Sequence, residues 1–185
     1  MTGKAGVTDD LPGALHRALR TATRSDHVEV DRFVGRLNFH SRKEYGCFLN
    51  LHYCALHNLS GDWRAEDSED FSGMLKCLQS DLQALGTMRA KIQPVTRHPL
   101  VFANRLGVGY VVRSTRLGAN LQRGRVAHHF PASFLEWVPT LSWTHFLQQL
   151  ELETDASRAG ARDEVLRGAR VAWELFVGLL RQTTH

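Results

Sequence analysis

The chain has 185 residues, of which 43% are hydrophobic and 23% charged, with a formal net charge of +4 at pH 7. This length and balance predict one soluble globular domain with an adequate core. The sequence has no apolar run of about 18 residues, so no membrane span is expected. The N-terminal "MTGKAGVTDD" lacks the apolar core of a signal peptide, which favours the cytoplasm. Basic residues are scattered except in the short stretch at 122–129, so nucleic acid is not an expected partner.

The cysteines do not form a recognisable site. Cys47, Cys54 and Cys77 are odd in number and none has the Cys-x-x-Cys spacing of a zinc or redox centre. All of them fall in segments with helical periodicity. We therefore expect reduced, buried thiols.

Apolar residues recur at helical spacing almost throughout the chain. The first helix is predicted to begin near Pro12, which suits the first helical turn, and to continue to about Leu37. Residues 1–10 are expected to form a flexible N-terminal segment ahead of a single domain that spans 11–182. The next helix begins after Ser41, which is followed by Glu44 at capping-box spacing.

The second half of the chain continues in the same way. After an acidic connection at 63–70, a third helix should end near Gly86. A loop at 94–99 precedes a long helical segment from about 100 to 126. Ser142 is expected to cap a shorter helix, and the last helix has the clearest 3.6-residue pattern. No alternating strand pattern competes, so the sequence predicts an all-α fold.

One long segment is unusually rich in glycine. The stretch "LGVGYVVRSTRLGANLQRGR" contains Gly107, Gly109, Gly118 and Gly124. Each glycine inside a helix costs roughly 1 kcal/mol relative to alanine. Such a helix needs either close packing against another backbone or a flat ligand lying on its own backbone. The pattern alone leaves both explanations open.

Several segments together resemble the heme oxygenase family, and most closely its bacterial branch. They are "ATRSDHVEVD" early in the chain, "FHSRKEYGCFLNLHY" after it, and "YVVRSTRLGANL" in the glycine-rich segment. Their order and spacing carry the similarity, which covers most of the chain. The resemblance implies a single-domain, all-α bundle in which heme lies between the first helix and a kinked, glycine-containing distal helix.

On the proximal side, the resemblance implies that His27 is the axial ligand of the heme iron. His27 has the helical spacing that places it on the same face as Val30 and Val34. A neutral imidazole is the usual axial ligand when iron must bind oxygen. By the same resemblance, Asp31 orients the imidazole, as outer partners of metal ligands generally do, and Arg20 faces a heme propionate.

On the distal side, Leu117, Gly118 and Ala119 match the family's Leu-Gly-Ala motif. The resemblance implies that the backbone at Gly118 and Ala119 lies against the heme. It also implies that Thr115 helps to hold a distal water network. Arg116 occupies the place of a lysine in the family and is a second candidate for a propionate.

Two distal positions depart from the family pattern. Arg113 stands where an acidic residue is usual, and Ser114 stands where the first glycine is usual. The Ser114 hydroxyl could donate to bound oxygen or could close the site. Ser114 is therefore treated as a catalytic position together with His27, Thr115 and Gly118.

The remaining histidines do not suggest a metal centre. His52 and His57 are five residues apart with no carboxylate in register, which fits neither a di-iron nor a zinc motif. His128 and His129 are adjacent and are expected near the end of the distal helix. None of them is predicted to be a ligand.

The resemblance implies a heme-degrading monooxygenase, for which heme is cofactor and substrate together. Heme would be cleaved to biliverdin, carbon monoxide and ferrous iron with O2 and electrons from a ferredoxin or an NADPH-dependent reductase. A biliverdin acceptor would be a further partner. The main alternative is a non-catalytic heme-binding or heme-handling protein of the same fold. An all-α interaction module without heme is another, in which the glycines serve packing alone.

Overall fold

The computed structural model describes residues 13–87, 102–157 and 159–183. This part of the chain is helical and contains no strand, which confirms the predicted all-α class. The α-helices are α1 (Ala14–Ala22), α2 (Arg24–Arg36), α3 (Arg42–Leu59), α4 (Ser68–Ala84), α5 (Phe102–Asn120), α6 (Ser133–Glu136), α7 (Trp143–Asp155) and α8 (Ala161–Thr183). No helix within these residues is long and apolar enough to cross a membrane.

The first predicted helix is in fact two helices, α1 and α2, which are separated at Thr23. Thr23 has φ of −113° and ψ of 8°, outside the helical range. Its buried hydroxyl donates to the Leu19 carbonyl at 2.9 Å, the kind of bond that often bends a helix. The break places Arg20 in the last turn of α1 and His27 near the start of α2. Pro12 and residues 1–10 lie outside the described residues.

The predicted caps are confirmed. Ser41 accepts a hydrogen bond from the Glu44 amide at 3.4 Å at the start of α3. Ser142 accepts one from the His145 amide at 3.3 Å at the start of α7. Gly86 follows the end of α4 with φ of 67°, the left-handed conformation that commonly ends a helix. These local signals explain why the predicted starts of α3 and α7 and the predicted end of α4 agree with the structure.

The helix pair α5 and α8 is the most extensive contact in the core. At two glycines the helices approach until their backbones touch. A Cβ on Gly107 would lie 2.0 Å from the Val165 carbonyl oxygen, and one on Gly168 would lie 1.9 Å from the Asn104 carbonyl oxygen. At Gly118 nothing lies within 4 Å of the same position. Close packing therefore explains Gly107, whereas Gly118 borders open space.

The C-terminal end of α5 differs from the prediction. The helix ends at Asn120 rather than near 126, so His128 and His129 lie beyond it. Arg125 turns toward α2 and donates to the Leu37 carbonyl at 2.7 Å. This bond satisfies a carbonyl at the end of α2 that would otherwise lack a partner. The predicted loop at 94–99 and the start of the long segment lie outside the described residues.

Candidate functional site

A large cavity of about 1010 Å³ lies between α1 and α2 on one side and the second half of α5 on the other. Small-molecule sites commonly have volumes of about 300–1000 Å³, so this cavity suits a large ligand. Most of its surface is apolar. Further walls come from Phe48 and His52 of α3, Trp143 of α7 and Trp173 of α8.

His27 and Asp31 line the α2 side of this cavity. The His27 Nδ1 atom lies 2.8 Å from an Asp31 carboxylate oxygen, and the two side chains are 47% and 64% exposed. The imidazole ring packs edge-on against Trp173, with ring centroids 5.1 Å apart. Because Nδ1 is engaged by Asp31, Nε2 is the nitrogen that remains for a ligand. The predicted pairing of these two residues is present in the structure.

Ser114, Thr115, Gly118 and Ala119 of α5 line the opposite wall. The Ser114 hydroxyl donates to the Val111 carbonyl at 2.9 Å. The Thr115 hydroxyl donates to the carbonyl of residue 112 at 3.0 Å. Both hydroxyl protons are therefore bound to the helix itself, while each oxygen keeps a lone pair that can accept a hydrogen bond.

Arginines border the cavity on the α1 and α2 side. Arg17, Arg20 and Arg24 all contribute to its lining, and all are exposed. The predicted position of Arg20 beside the cavity is thus present. These cations lie on one side of an apolar interior, an arrangement that suits a flat apolar molecule with anionic groups at one edge.

Arg116 lies elsewhere, which argues against its predicted role toward a propionate. It does not line the large cavity. Its guanidinium is buried and Nη2 donates to the carbonyls of Leu135 and Trp137. The reason is helical periodicity, because position 116 lies on a different face of α5 from positions 114, 115 and 118.

Arg113 belongs to a buried ion cluster that joins α5 to the start of α4. Its Nη2 atom lies 2.9 Å from Asp67 and 3.2 Å from Asp70. Arg64 also contacts Asp67, at 2.7 Å. Burial opposes ionisation of Asp67, but the bonds and charges of the two arginines outweigh it and lower its pKa. The basic residue at position 113 is therefore explained by its aspartate partners rather than by the cavity.

His52 lines the cavity although the sequence did not predict this. His52 is buried within α3 and lines the large cavity. Its Nδ1 atom lies 3.0 Å from the Phe48 carbonyl oxygen, which fixes Nδ1 as the donor and leaves Nε2 unprotonated. Burial lowers the pKa of His52 to about 4, and the nearby charge of Arg116 acts in the same direction. The sequence signal was its four-residue spacing from Phe48 and Leu56 on the apolar face of α3.

An aromatic cluster of His16, Tyr110 and Trp143 also lines the cavity. The ring centroid of His16 lies 5.9 Å from the ring centroid of Tyr110 and 5.9 Å from that of Trp143. Burial lowers the pKa of His16, with a smaller contribution from Arg20. Burial raises the pKa of Tyr110 to about 12, so its phenol is neutral at ordinary pH. Contacts between separate helices created this cluster, and no spacing within one segment indicates it.

The fold was compared with known proteins. It matches the crystal structures of the NO- and CO-bound heme oxygenase from Neisseria meningitidis with a TM-score of 0.71, at 21% sequence identity and with 91% of each chain covered. No model of a known protein family and no curated protein sequence matches the chain. At this level of identity the similarity establishes a shared fold. The chain therefore has the all-helical fold of that heme oxygenase, as the sequence resemblance predicted.

Proposed function

We propose that the protein binds heme in the large cavity and degrades it as a heme oxygenase. The observation that carries this proposal is the pairing of His27 with Asp31 on one wall of the cavity and the bare backbone at Gly118 on the other. The fold shared with a bacterial heme oxygenase supports the same conclusion. Localisation in the cytoplasm remains part of the proposal.

The described residues fit heme in size, shape and charge. A flat macrocycle needs a wall without side-chain bulk, and nothing lies within 4 Å of where a Cβ of Gly118 would be. The apolar faces of the macrocycle match the largely apolar lining of the cavity, which includes Trp173. Its two propionates match the arginines at the edge, of which Arg20 is the predicted partner. No cluster of three or more His, Cys, Asp or Glu side chains that could hold a bare metal ion occurs among the described residues, whereas heme iron needs only His27.

Heme, when bound, supplies both the iron that reacts with O2 and the porphyrin carbon that is oxidised. His27 would hold the iron through Nε2. Asp31 accepts a hydrogen bond from Nδ1, which fixes the tautomer and the orientation of the ring. Gly118 and Ala119 would let the α5 backbone approach the macrocycle and would limit the space for water beside it.

Polar atoms on the α5 and α3 walls can position water in the cavity. The oxygens of Ser114 and Thr115 accept hydrogen bonds, since their protons are bound to helix carbonyls. His52 Nε2 is a further acceptor, because Nδ1 carries the ring proton. A water held by these acceptors donates its protons to them and turns its oxygen toward the cavity, where it can accept a hydrogen bond and so order a second water.

The proposed products are biliverdin, carbon monoxide and ferrous iron, with electrons from a ferredoxin or an NADPH-dependent reductase. The exposed arginines on α1 and α2 offer a positively charged surface to an acidic donor protein. A biliverdin acceptor would act after release of the product.

The experiment that tests the proposal is a hemin titration of the purified protein and of His27→Ala. The wild type should bind hemin with the optical spectrum of a histidine-ligated heme. The variant should lose that spectrum while circular dichroism remains helical, because His27 is half-exposed and its removal leaves no large void. His57→Ala removes an exposed histidine outside the cavity and should behave as wild type. An unchanged spectrum in His27→Ala would exclude His27 as the ligand.

A further inference from the structure

A second, smaller cavity of about 230 Å³ lies on the other face of α5, between that helix, α4 and the segment from α6 to α7. We call it the rear cleft and define it by Arg116, Leu117, Trp137, Val138 and Trp143. Its walls are largely apolar. The size suits a molecule with about ten non-hydrogen atoms rather than a macrocycle.

The rear cleft contains a buried cation without a counter-ion. Among the described residues Arg64, Arg113 and Arg116 are the buried arginines. The first two contact carboxylates at 3.2 Å or less. Arg116 donates to the two backbone carbonyls described above and lies 5.8 Å from the Phe134 ring centroid, but no carboxylate of the described residues lies within ion-pair distance of it. A buried charge is costly unless it is paired, so the missing partner needs an explanation.

Hydrogen-bond donors in the rear cleft lack acceptors. The Nε atoms of Arg113 and Arg116 and the indole Nε1 of Trp137 are buried and have no hydrogen-bond partner in the described structure. Buried polar groups are nearly always paired in folded proteins. Glu136 also borders the cleft, but it is exposed and its carboxylate lies 2.7 Å from Arg123. Unpaired donors and one uncompensated positive charge are thus buried in residues that line an apolar cleft.

We propose that the rear cleft is a second ligand site, which binds a small aromatic or branched aliphatic carboxylate through Arg116. A monoanion balances the single uncompensated charge. Since Nη2 already donates to two carbonyls, the carboxylate would accept one charge-assisted hydrogen bond from the rest of the Arg116 guanidinium group. The apolar part of the ligand would lie against Trp137, Val138 and Leu117. Leu117 and Trp143 border both the rear cleft and the large cavity, so a bound carboxylate would contact residues that also shape the larger site.

The tryptophans allow a direct test, because each reports on a different place. Trp137 borders only the rear cleft, Trp173 borders only the large cavity, and Trp63 borders neither. Benzoate is added to the full-length, ¹⁵N-labelled protein, and the indole N–H resonances are followed by NMR, with Trp137→Phe used for assignment. The Trp137 resonance should shift and saturate, while Trp63 and Trp173 stay in place. Benzyl alcohol, a neutral analogue of similar size, should bind much more weakly.

Substitutions identify the group that binds the carboxylate. Arg116→Gln should weaken benzoate binding at least about tenfold, the loss expected for one charge-assisted hydrogen bond. Arg162→Gln makes the same change in net charge at an exposed position on α8 and should leave binding unchanged. Val138→Phe narrows the cleft at an exposed position and should also weaken binding, which keeps the test valid if Arg116→Gln fails to fold. Equal binding of benzyl alcohol, a shift at Trp173 alone, or no saturable shift at Trp137 would overturn the proposal.

Discussion

Ser114 and Arg113 are neighbours on α5, yet their side chains lie in different surroundings. Ser114 borders the large cavity, whereas Arg113 joins the buried aspartates of the α4 region. Both positions depart from the heme oxygenase pattern in the sequence. The structure gives the basic residue at 113 a packing role and leaves the serine as the departure that bears on chemistry. Its hydroxyl is bound to the Val111 carbonyl, so the polar hydrogen is directed into the helix.

We therefore expect Ser114→Gly to keep turnover or raise it modestly. The serine adds little polarity above the ligand, and its loss should cost roughly 0.5 kcal/mol of helix stability. The measurement is a single-turnover assay of the heme complex with O2 and reductant, which follows loss of the Soret band and appearance of biliverdin. If the wild type binds heme through His27 but forms no biliverdin while Ser114→Gly does, the native protein is a heme-binding protein rather than an enzyme.

Arg20 and Arg116 were both predicted to face propionates, and the structure distinguishes them. Arg20→Ala should weaken hemin binding several-fold, because a charge-assisted pair at an exposed site contributes about 1 kcal/mol. Arg116→Ala should instead lower the stability of the heme-free protein, since it removes the bonds to Leu135 and Trp137. Hemin titration and urea unfolding of both variants check this. A larger loss of hemin affinity at Arg116 than at Arg20, with unchanged stability, would contradict it.

At the scale of the helix, the glycines of α5 provide a matched pair of substitutions. Gly107→Ala should lower the free energy of unfolding by about 3 kcal/mol, because the new methyl would overlap the α8 backbone. Gly118→Ala should keep or raise the stability of the heme-free protein, by up to about 1 kcal/mol, since its φ is not positive and nothing lies nearby. The same Gly118→Ala methyl faces the large cavity and should weaken hemin binding.

Thermal unfolding without heme and hemin titration separate the two effects. Gly107→Ala should unfold at a lower temperature than the wild type. Gly118→Ala should not unfold at a lower temperature, but it should bind hemin more weakly. If Gly118→Ala bound hemin as tightly as the wild type, the α5 backbone at that position would not be the wall that contacts the macrocycle.

The same helices illustrate how far the sequence predicts the fold. Local signals were sufficient at Ser41, Ser142 and Gly86, because a cap depends on residues within one turn. They were insufficient at Thr23, where the same apolar periodicity continues through a break between helices. They also failed for Arg116, because the face of α5 that a residue occupies relative to the cavity depends on how α5 packs against α8.

In the candidate site, too, some contacts could be predicted from the local sequence and others could not. His27 and Asp31 are four residues apart on one helix, so their pairing could be predicted from spacing. His52 and the pair of His16 and Tyr110 reach the cavity from three different helices. Spacing within a segment cannot reveal such contacts, because they depend on tertiary packing.

Across the whole molecule, buried titratable groups link stability to pH. Asp67 is bound by two buried arginines, which lower its pKa, so its contribution to stability is retained above the pKa of the unfolded chain and is lost only in strong acid. His52 links stability to pH under less acidic conditions than Asp67 does. Its pKa is about 4 in the folded protein and 6.5 is the ordinary value. Below the ordinary value the unfolded chain gains a proton that the folded protein does not accept.

Stability should therefore fall as the pH is lowered from about 6.5 toward 4, and the His52 contribution should reach about 2 kcal/mol at pH 5. His52→Asn removes the titration and can keep the bond to the Phe48 carbonyl, as Asn50 and Asn58 on the same helix bond to the carbonyls four residues earlier. This variant will be less stable than the wild type at neutral pH, because the ring leaves a void between aromatic side chains.

The diagnostic is how that difference changes with pH. Urea unfolding of the heme-free proteins at pH 7 and pH 5 should show the gap between wild type and His52→Asn narrowing by about 2 kcal/mol at the lower pH. His57→Asn makes the same substitution at an exposed position of α3 and should follow the wild type at both values. A gap that stays constant would mean that His52 binds a proton equally well in the folded and unfolded chains. In that case its Nε2 could not serve as the fixed, unprotonated acceptor on the α3 wall of the large cavity.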